Sequence, residues 1–241
     1  METLPTSAST SEFGRRRSDA LDLWRGLAVA AMVVWHLLWD LESLGMLRPG
    51  TAERMPWELL RAGAVHSFLF LAGVSCCLSR NNLRRCGRLA LAALGVSLAM
   101  GAVGQPVLFG VLHLLCVCVG LYAVGEKAFR ALPGVRCALL CLLLFAALFP
   151  WLPGVRVETE WLWWLGLRTR EFYSADYYPL LPWGLLFFAG AFAGRRLCEH
   201  LPRWTLPRPL TWMGRHALGI YLVHQPLMMG ALLLWKRWAG L

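Results

Sequence analysis

LDLWRGLAVAAMVVWHLLWDL, residues 21–41, is the stretch that decides the fold. It is a mostly apolar run of about 20 residues, the length that a helix needs to cross ~30 Å of hydrocarbon. Similar apolar runs recur along the chain at 58–79, 86–103, 107–125, 135–150, 180–197 and 211–235. This pattern predicts an all-α protein, a polytopic transmembrane helical bundle of about seven helices.

The composition argues against an ordinary soluble domain. Hydrophobic residues make up 58% of the 241 residues and charged residues only 16%, whereas a soluble domain carries about 25% charged residues. The net charge of +10 comes largely from arginines in short segments between the apolar runs. Charge distributed in this way is typical of proteins embedded in a lipid bilayer, and it argues against a nucleic-acid partner.

The basic residues also predict an orientation. The segments before 21–41 and after 58–79, 107–125 and 180–197 hold twice as many Lys and Arg residues as the alternate segments. Because short basic loops stay on the cytoplasmic side, we expect the N-terminus in the cytoplasm and the C-terminus outside.

The chain divides into a tail and one membrane domain. Residues 1–19 are polar and predict a disordered cytoplasmic tail, while 20–237 form a single transmembrane domain. Within it, 151–179 is an extracytoplasmic loop rich in Trp and Tyr. Since these side chains favour the membrane–water interface, the loop is interpreted as an interfacial segment, a lid over an outward-opening site, or both.

Three ionisable residues of the first helix predict a polar face. An ionisable group that faces hydrocarbon costs at least ~2.5 kcal/mol, so such groups usually face a cavity or a partner. Arg25 and His36 lie on one face at 100° per residue, about 16 Å apart along the helix axis. Asp40 follows His36 by one turn, and its carboxylate is expected to hold the imidazole in one tautomer.

Further polar residues fall at a similar predicted depth, in the outer half of the bilayer. They are His66, His113, Asp176, His224 and Gln225. We therefore expect them to share a polar cavity with His36. A histidine paired with a carboxylate serves as a general base or as an acyl carrier, and Arg25 suits the phosphates of a donor such as coenzyme A.

Other common site patterns are absent from the sequence. The chain has no P-loop, HExxH, GxSxG or Rossmann glycine pattern. Its eight cysteines have no CxxC spacing and are interpreted as small side chains in helix packing. No metal is expected.

Several short motifs together resemble a known family. They are Asp22-x-x-Arg25-Gly26, Phe70-x-Ala72-Gly73-Val74-Ser75, Phe109-Gly110-x-Leu112-His113, Asp176-x-x-Pro179-Leu-x-Pro182-Trp183 and Ile220-Tyr221-Leu-x-His224-Gln225-Pro226. In this order, over about residues 16–235, the chain resembles short prokaryotic proteins related to the catalytic domain of heparan-alpha-glucosaminide N-acetyltransferase. That family is part of a wider set of transmembrane acyltransferases that includes the acyltransferase-3 proteins.

The resemblance implies an acetyl-CoA-dependent N- or O-acetyltransferase of the bacterial plasma membrane. Such an enzyme moves an acetyl or similar acyl group from cytoplasmic acyl-CoA to a saccharide amino or hydroxyl group, on an extracytoplasmic glycan or glycolipid. The Arg-x10-His pair that is tied to activity in the acyltransferase-3 branch falls here on Arg25 and His36. Larger relatives have ten or more helices, so a homodimer is one way to complete a donor tunnel.

These inferences give two sets of candidate site residues. The expected catalytic residues are His36, Asp40 and Arg25. The expected substrate-binding residues are His66, His113, Asp176, His224 and Gln225.

Two other functions also fit the histidines. A proton-coupled transporter would use an intramembrane histidine cluster as a relay, although the sequence shows no inverted repeat. A haem-binding cytochrome would need two histidines at matched depth on different helices, and His66 with His113 is the pair that qualifies.

Overall fold

The computed structural model describes residues 19–200 and 208–240. The regular structure of these residues is helical, with no strand, which confirms the prediction of an all-α protein. The predicted tail at 1–19 lies outside the described residues, except for Asp19.

Eight α-helices follow one another in the described ranges. They are α1 (Asp19–Ser43), α2 (Trp57–Leu78), α3 (Asn82–Ala102), α4 (Val111–Ala131), α5 (Gly134–Leu148), α6 (Leu180–His200), α7 (Arg208–Arg215) and α8 (Ala217–Ala239). The predicted aromatic loop contains two short 3₁₀ helices, Leu152–Gly154 and Glu160–Leu165.

Five of the described helices, α1, α2, α3, α4 and α8, are long and apolar enough to cross a membrane. The protein is therefore an integral membrane protein. α5 is apolar but has only 15 residues. It packs against α6, which in turn packs against α2.

The predicted helix at 211–235 is wrong at its start. The structure has α7, then an interruption at His216 with φ −106° and ψ 18°, and then α8. α7 crosses α1 at Gly214, where an added Cβ would be 1.8 Å from the carbonyl oxygen of Asp22. Hydrophobic periodicity does not reveal such a backbone contact between distant segments, and for that reason the interruption was not predicted.

Close backbone contact also joins α2 to α6 in the core. A Cβ on Gly73 would be 1.9 Å from the carbonyl oxygen of Phe187, and one on Gly190 would be 1.9 Å from that of Phe70. Small residues at a helix crossing let the backbones approach, which strengthens packing where lipid gives little hydrophobic drive. Phe187 is fully buried beside this crossing.

Two loops pair at one end of the bundle, which the charge pattern assigns to the extracytoplasmic side. The amide of Ala175 donates to the Pro106 carbonyl (3.0 Å), and that of Tyr178 donates to the Phe109 carbonyl (2.8 Å). The hydroxyl of Tyr177 donates to the Trp163 carbonyl at 2.6 Å and so connects the aromatic loop. This pairing fixes the backbone on both sides of Asp176.

Candidate active site

His36 and His224 bring α1 and α8 together. The Nε2 atom of His224 lies 3.4 Å from the Nδ1 atom of His36, and the ring centroids are 4.9 Å apart. His224 is buried, whereas His36 is only partly buried. The accessible part of this pair is therefore the His36 ring.

The backbone around the pair decides where the imidazole protons lie. Nδ1 of His224 is 2.8 Å from the Tyr221 carbonyl and 3.1 Å from the Ile220 carbonyl. A carbonyl oxygen only accepts, so neutral His224 carries its proton on Nδ1 and presents an acceptor at Nε2. Nδ1 of His36, 2.9 Å from the Met32 carbonyl, likewise carries a proton and donates.

This assignment leaves the lone pair of His36 on Nε2. That nitrogen has no hydrogen-bond partner among the residues that the structure describes. An imidazole nitrogen with a lone pair, on a ring held at its other nitrogen, has the arrangement of a general base or a nucleophile.

Asp40 follows His36 on α1 and contacts a different residue of α8. Its Oδ1 accepts a hydrogen bond of 2.6 Å from Nε2 of Gln225, and its side chain is 0% exposed. The predicted hydrogen bond that His36 would donate to Asp40 is not formed, because Nδ1 of His36 faces the Met32 carbonyl and His224 instead.

The contact between Asp40 and Gln225 leaves two oxygens without donors. Oδ2 of Asp40 and Oε1 of Gln225 are buried and have no hydrogen-bond partner among the described residues. Buried polar atoms are normally satisfied, so two such acceptors in one contact favour a donor from outside the chain. A ligand N–H or O–H group has the required chemistry.

Arg25 contacts residues at the opposite end of α1. Its guanidinium donates to Asp22 (2.6 Å) and to the hydroxyl of Ser75 (3.0 Å), and it lies 3.4 Å from the Gly214 carbonyl. Asp22, 1% exposed, also accepts from Arg215 at 3.1 Å. The guanidinium thus joins α1, α2 and α7. The hydrogen bonds that Arg215 donates to Asp22 and Asp19 raise the pKa of Arg215 above its ordinary value.

His113 is used to order the start of α4. Its Nδ1 accepts from the Gly110 amide at 3.3 Å. Its Nε2 lies 3.2 Å from the hydroxyl of Ser97, which itself donates to the Val107 carbonyl at 2.7 Å. Nε2 therefore carries the proton, and both ring nitrogens already have partners.

Asp176 approaches the same helix start from the paired loops. Its Oδ2 accepts a hydrogen bond of 3.1 Å from the amide of Val111, in the first turn of α4. Burial raises the pKa of Asp176 to about 6, and the Val111 hydrogen bond only partly opposes this shift. A carboxylate at a helix N-terminus satisfies an amide that has no partner within the helix.

His66 lies in an aromatic surround. Its Nδ1 contacts the Ala62 carbonyl, and its ring centroid is 5.4 Å from Phe145, 6.0 Å from Phe149 and 5.5 Å from Trp183. It therefore does not face His113, which contacts Ser97 and Gly110. His66 and His113 are therefore not arranged as a pair of axial haem ligands.

The predicted site residues do not all meet in one cavity but form separate contacts. The structure brings together His36 with His224, Asp40 with Gln225, and His113 with Asp176, while His66 and Arg25 each have other partners. These residues share a predicted depth, but depth does not specify which neighbour each helix face meets.

Tyr221 is a site residue that sequence reasoning missed. Its ring centroid is 5.9 Å from that of His224. With His113 and Asp176 it lines a narrow crevice. Tyr221 lies three residues before His224 and therefore on the same helix face, and this spacing could have identified it from the sequence.

Within 19–200 and 208–240, no group of three or more His, Cys, Asp or Glu residues could hold a metal ion.

The family model described as "Heparan-alpha-glucosaminide N-acetyltransferase, catalytic" matches residues 17–226, most of the chain. No curated protein and no solved structure matches it.

Proposed function

We propose, from the premise that this chain belongs to the heparan-alpha-glucosaminide N-acetyltransferase catalytic family, that it transfers an acyl group across the membrane. The donor is cytoplasmic acetyl-CoA or another acyl-CoA. The acceptor is the amino or hydroxyl group of an extracytoplasmic saccharide, on a glycan or a glycolipid. The observation that carries this proposal is the contact between His36 and His224, which joins α1 to α8.

His36 is proposed as the general base. Its Nε2 takes the proton of the acceptor amine or hydroxyl as that group attacks the acyl carbonyl. The new acyl–nitrogen or acyl–oxygen bond forms, the thioester C–S bond breaks, and the His36 imidazolium returns the proton to the leaving thiolate. The His224 Nε2 lone pair and the Met32 carbonyl accept from Nδ1 of His36, so they stabilise the imidazolium that forms.

Asp40 and Gln225 are proposed to bind the acceptor. Their two buried oxygens without donors match the N–H or O–H groups that a saccharide presents. A site built to accept such hydrogen bonds discriminates strongly against analogues that lack the donor. In this proposal His224 takes the orienting role towards His36, and Asp40 contributes to acceptor recognition.

His113, Asp176 and Tyr221 are proposed to shape the extracytoplasmic entrance. His113 and Asp176 order the start of α4, and Tyr221 connects that region to His224. His66 is proposed to contact the acceptor through its aromatic surround, which suits the apolar face of a sugar ring.

Acetyl transfer in proteoliposomes tests the proposal. Labelled acetyl-CoA is supplied on one side and glucosamine on the other, and acetylated sugar is measured. We expect turnover by the wild-type chain and its loss in His36→Ala, with His200→Ala as the matched control. His200 is an exposed histidine at the end of α6. Wild-type turnover in His36→Ala, or glucosamine flux without acetylation, would overturn the proposal.

A further inference from the structure

A second cavity opens at the other end of the bundle, which the charge pattern assigns to the cytoplasm. It has a volume of about 900 Å³ and opens to solvent between the ends of α2, α4 and α6 and the start of α5. Residues that line it include Cys77, Tyr122, Arg130, Arg136, Arg195 and Arg196. We propose that this cavity is a binding site for phosphate groups.

The first argument is the charge of the lining. Among the residues that the structure describes, four arginines from three helices line the cavity, and Glu199 is the one acidic residue in the lining. Arg130 pairs with Glu126. Arg136, Arg195 and Arg196 make no side-chain hydrogen bond or ion pair within the part of the chain that the structure describes. Their planar guanidinium groups match phosphate oxygens in pairs.

The second argument is the helix that begins there. α5 starts at the cavity, with Pro133, Gly134 and Arg136 in the lining. No side chain of the described residues caps this N-terminus. Its first amides and the positive end of the helix dipole add to the arginine charge, an arrangement that favours an anion.

The cavity is separate from Arg25, the residue to which the sequence assigned the donor phosphates. Arg25 contacts Ser75 on one face of α2, whereas the cavity is lined by Cys77. Neither Arg25 nor Ser75 is among the residues that line the cavity. The arginine-lined cavity, rather than Arg25, has the space and the charge for phosphates.

Two sources of phosphate have the chemistry that this cavity would bind. One is a soluble ligand such as coenzyme A, and that identification rests on the proposed function. The other is the headgroup of an anionic lipid. A group of arginines that only orients the protein in the membrane would not bind coenzyme A or a lipid headgroup in a saturable way. Saturable binding therefore tests the proposal.

The test uses the purified full chain in nanodiscs of phosphatidylcholine, titrated with inorganic pyrophosphate and, separately, with coenzyme A in a calorimeter. We expect saturable binding, weakened at least about tenfold in the double variant Arg195→Gln, Arg196→Gln, because hydrogen bonds to charged groups are strong. Arg136→Gln should weaken it less. The matched control, Arg80→Gln with Arg84→Gln, removes the same charge outside the cavity and should change binding by less than about twofold.

A second arm identifies the source. Native mass spectrometry of wild-type protein in nanodiscs containing phosphatidylglycerol shows whether a lipid is retained and lost in the double variant, which would support the phosphate site with a lipid as its ligand. His36→Ala should bind both probes normally, so failed transfer is distinguishable from failed binding. No saturable pyrophosphate, coenzyme A or lipid binding, or equal weakening in the control, would overturn the inference.

Discussion

Gly110 lies directly against the carboxylate of Asp176: a Cβ on Gly110 would be 2.2 Å from Asp176 Oδ2. The same oxygen accepts from the amide of Val111. The start of α4 is therefore built around a carboxylate that comes from a loop 65 residues later in the chain. Two of the sequence motifs, one ending at His113 and one beginning at Asp176, meet at this point.

This carboxylate should give the protein a pH-dependent stability. Burial raises the pKa of Asp176 from 3.8 to about 6 in the folded state, so the folded protein binds the proton more tightly than the unfolded chain. Its contribution is fully present below pH 3.8 and is lost as the pH rises through about 6. We expect the wild-type Tm to fall between about pH 5 and about pH 7 from this group.

Asp176→Asn checks the assignment, because the amide keeps an oxygen for Val111 but does not titrate. This variant should lose that part of the decline and be at least as stable as the wild type near neutral pH. Thermal unfolding in detergent at a series of pH values measures both. An unchanged pH slope in the variant would show that another group is responsible.

The His36–His224 contact should control the rate of transfer. His224→Phe keeps the ring volume but removes the acceptor for Nδ1 of His36, so the imidazolium loses a stabilising partner. We expect kcat to fall by about 100-fold, within the range of general-base contributions, with a smaller change in KM. Acetyl transfer measured against acceptor concentration separates the two constants. A change in KM alone would assign His224 to binding instead.

The Asp40–Gln225 contact should behave as a coupled buried pair. Gln225→Leu leaves the buried Asp40 carboxyl without its donor, a change that costs about 3 kcal/mol. Asp40→Leu combined with Gln225→Leu should destabilise less than the two single changes added together. Thermal unfolding of the four proteins gives the coupling energy, and strict additivity would mean that the two side chains do not interact.

The crossing of α2 and α6 should tolerate no side chain. Gly190→Ala would place a Cβ 1.9 Å from the Phe70 carbonyl oxygen, and overpacking of this kind costs about 1–3 kcal/mol or more. Gly219→Ala is the matched control, since no atom of the described part of the chain lies within 4 Å of a Cβ there. We expect Tm to fall only in the first variant. Equal Tm values would contradict the close crossing.

Most helices were predictable from the sequence, because an uncharged apolar run of about 20 residues rarely forms anything but a membrane-crossing helix. The sequence also placed Arg25 and His36 on one face of the first helix, and in the structure both contact the α7–α8 segment. That result depends only on the 100° rotation per residue, which is a local property of the helix.

The relations between helices were not predictable in the same way. Asp40 shares a face with His36, yet it pairs with Gln225, the residue that directly follows His224 on α8. The arginine-lined cavity was missed because its arginines come from three helix ends, such as Arg130, Arg136 and Arg195. In the sequence, each of these arginines looks like a loop charge that only sets the orientation of the protein in the membrane. The packing of α5 against α6 brings the arginines of those helices together.

α1 contacts the α7–α8 segment at two points, through Arg25 near one end and His36 nearer the other. The number of residues between these two points fixes the rotation and the spacing of the two side chains. Each added residue turns a helix by about 100° and advances it by about 1.5 Å. Insertion of a single alanine between the two attachment points would therefore rotate His36 away from its partner while the guanidinium keeps its contacts. The length of this segment, as much as the identity of its residues, sets the geometry of the proposed catalytic pair.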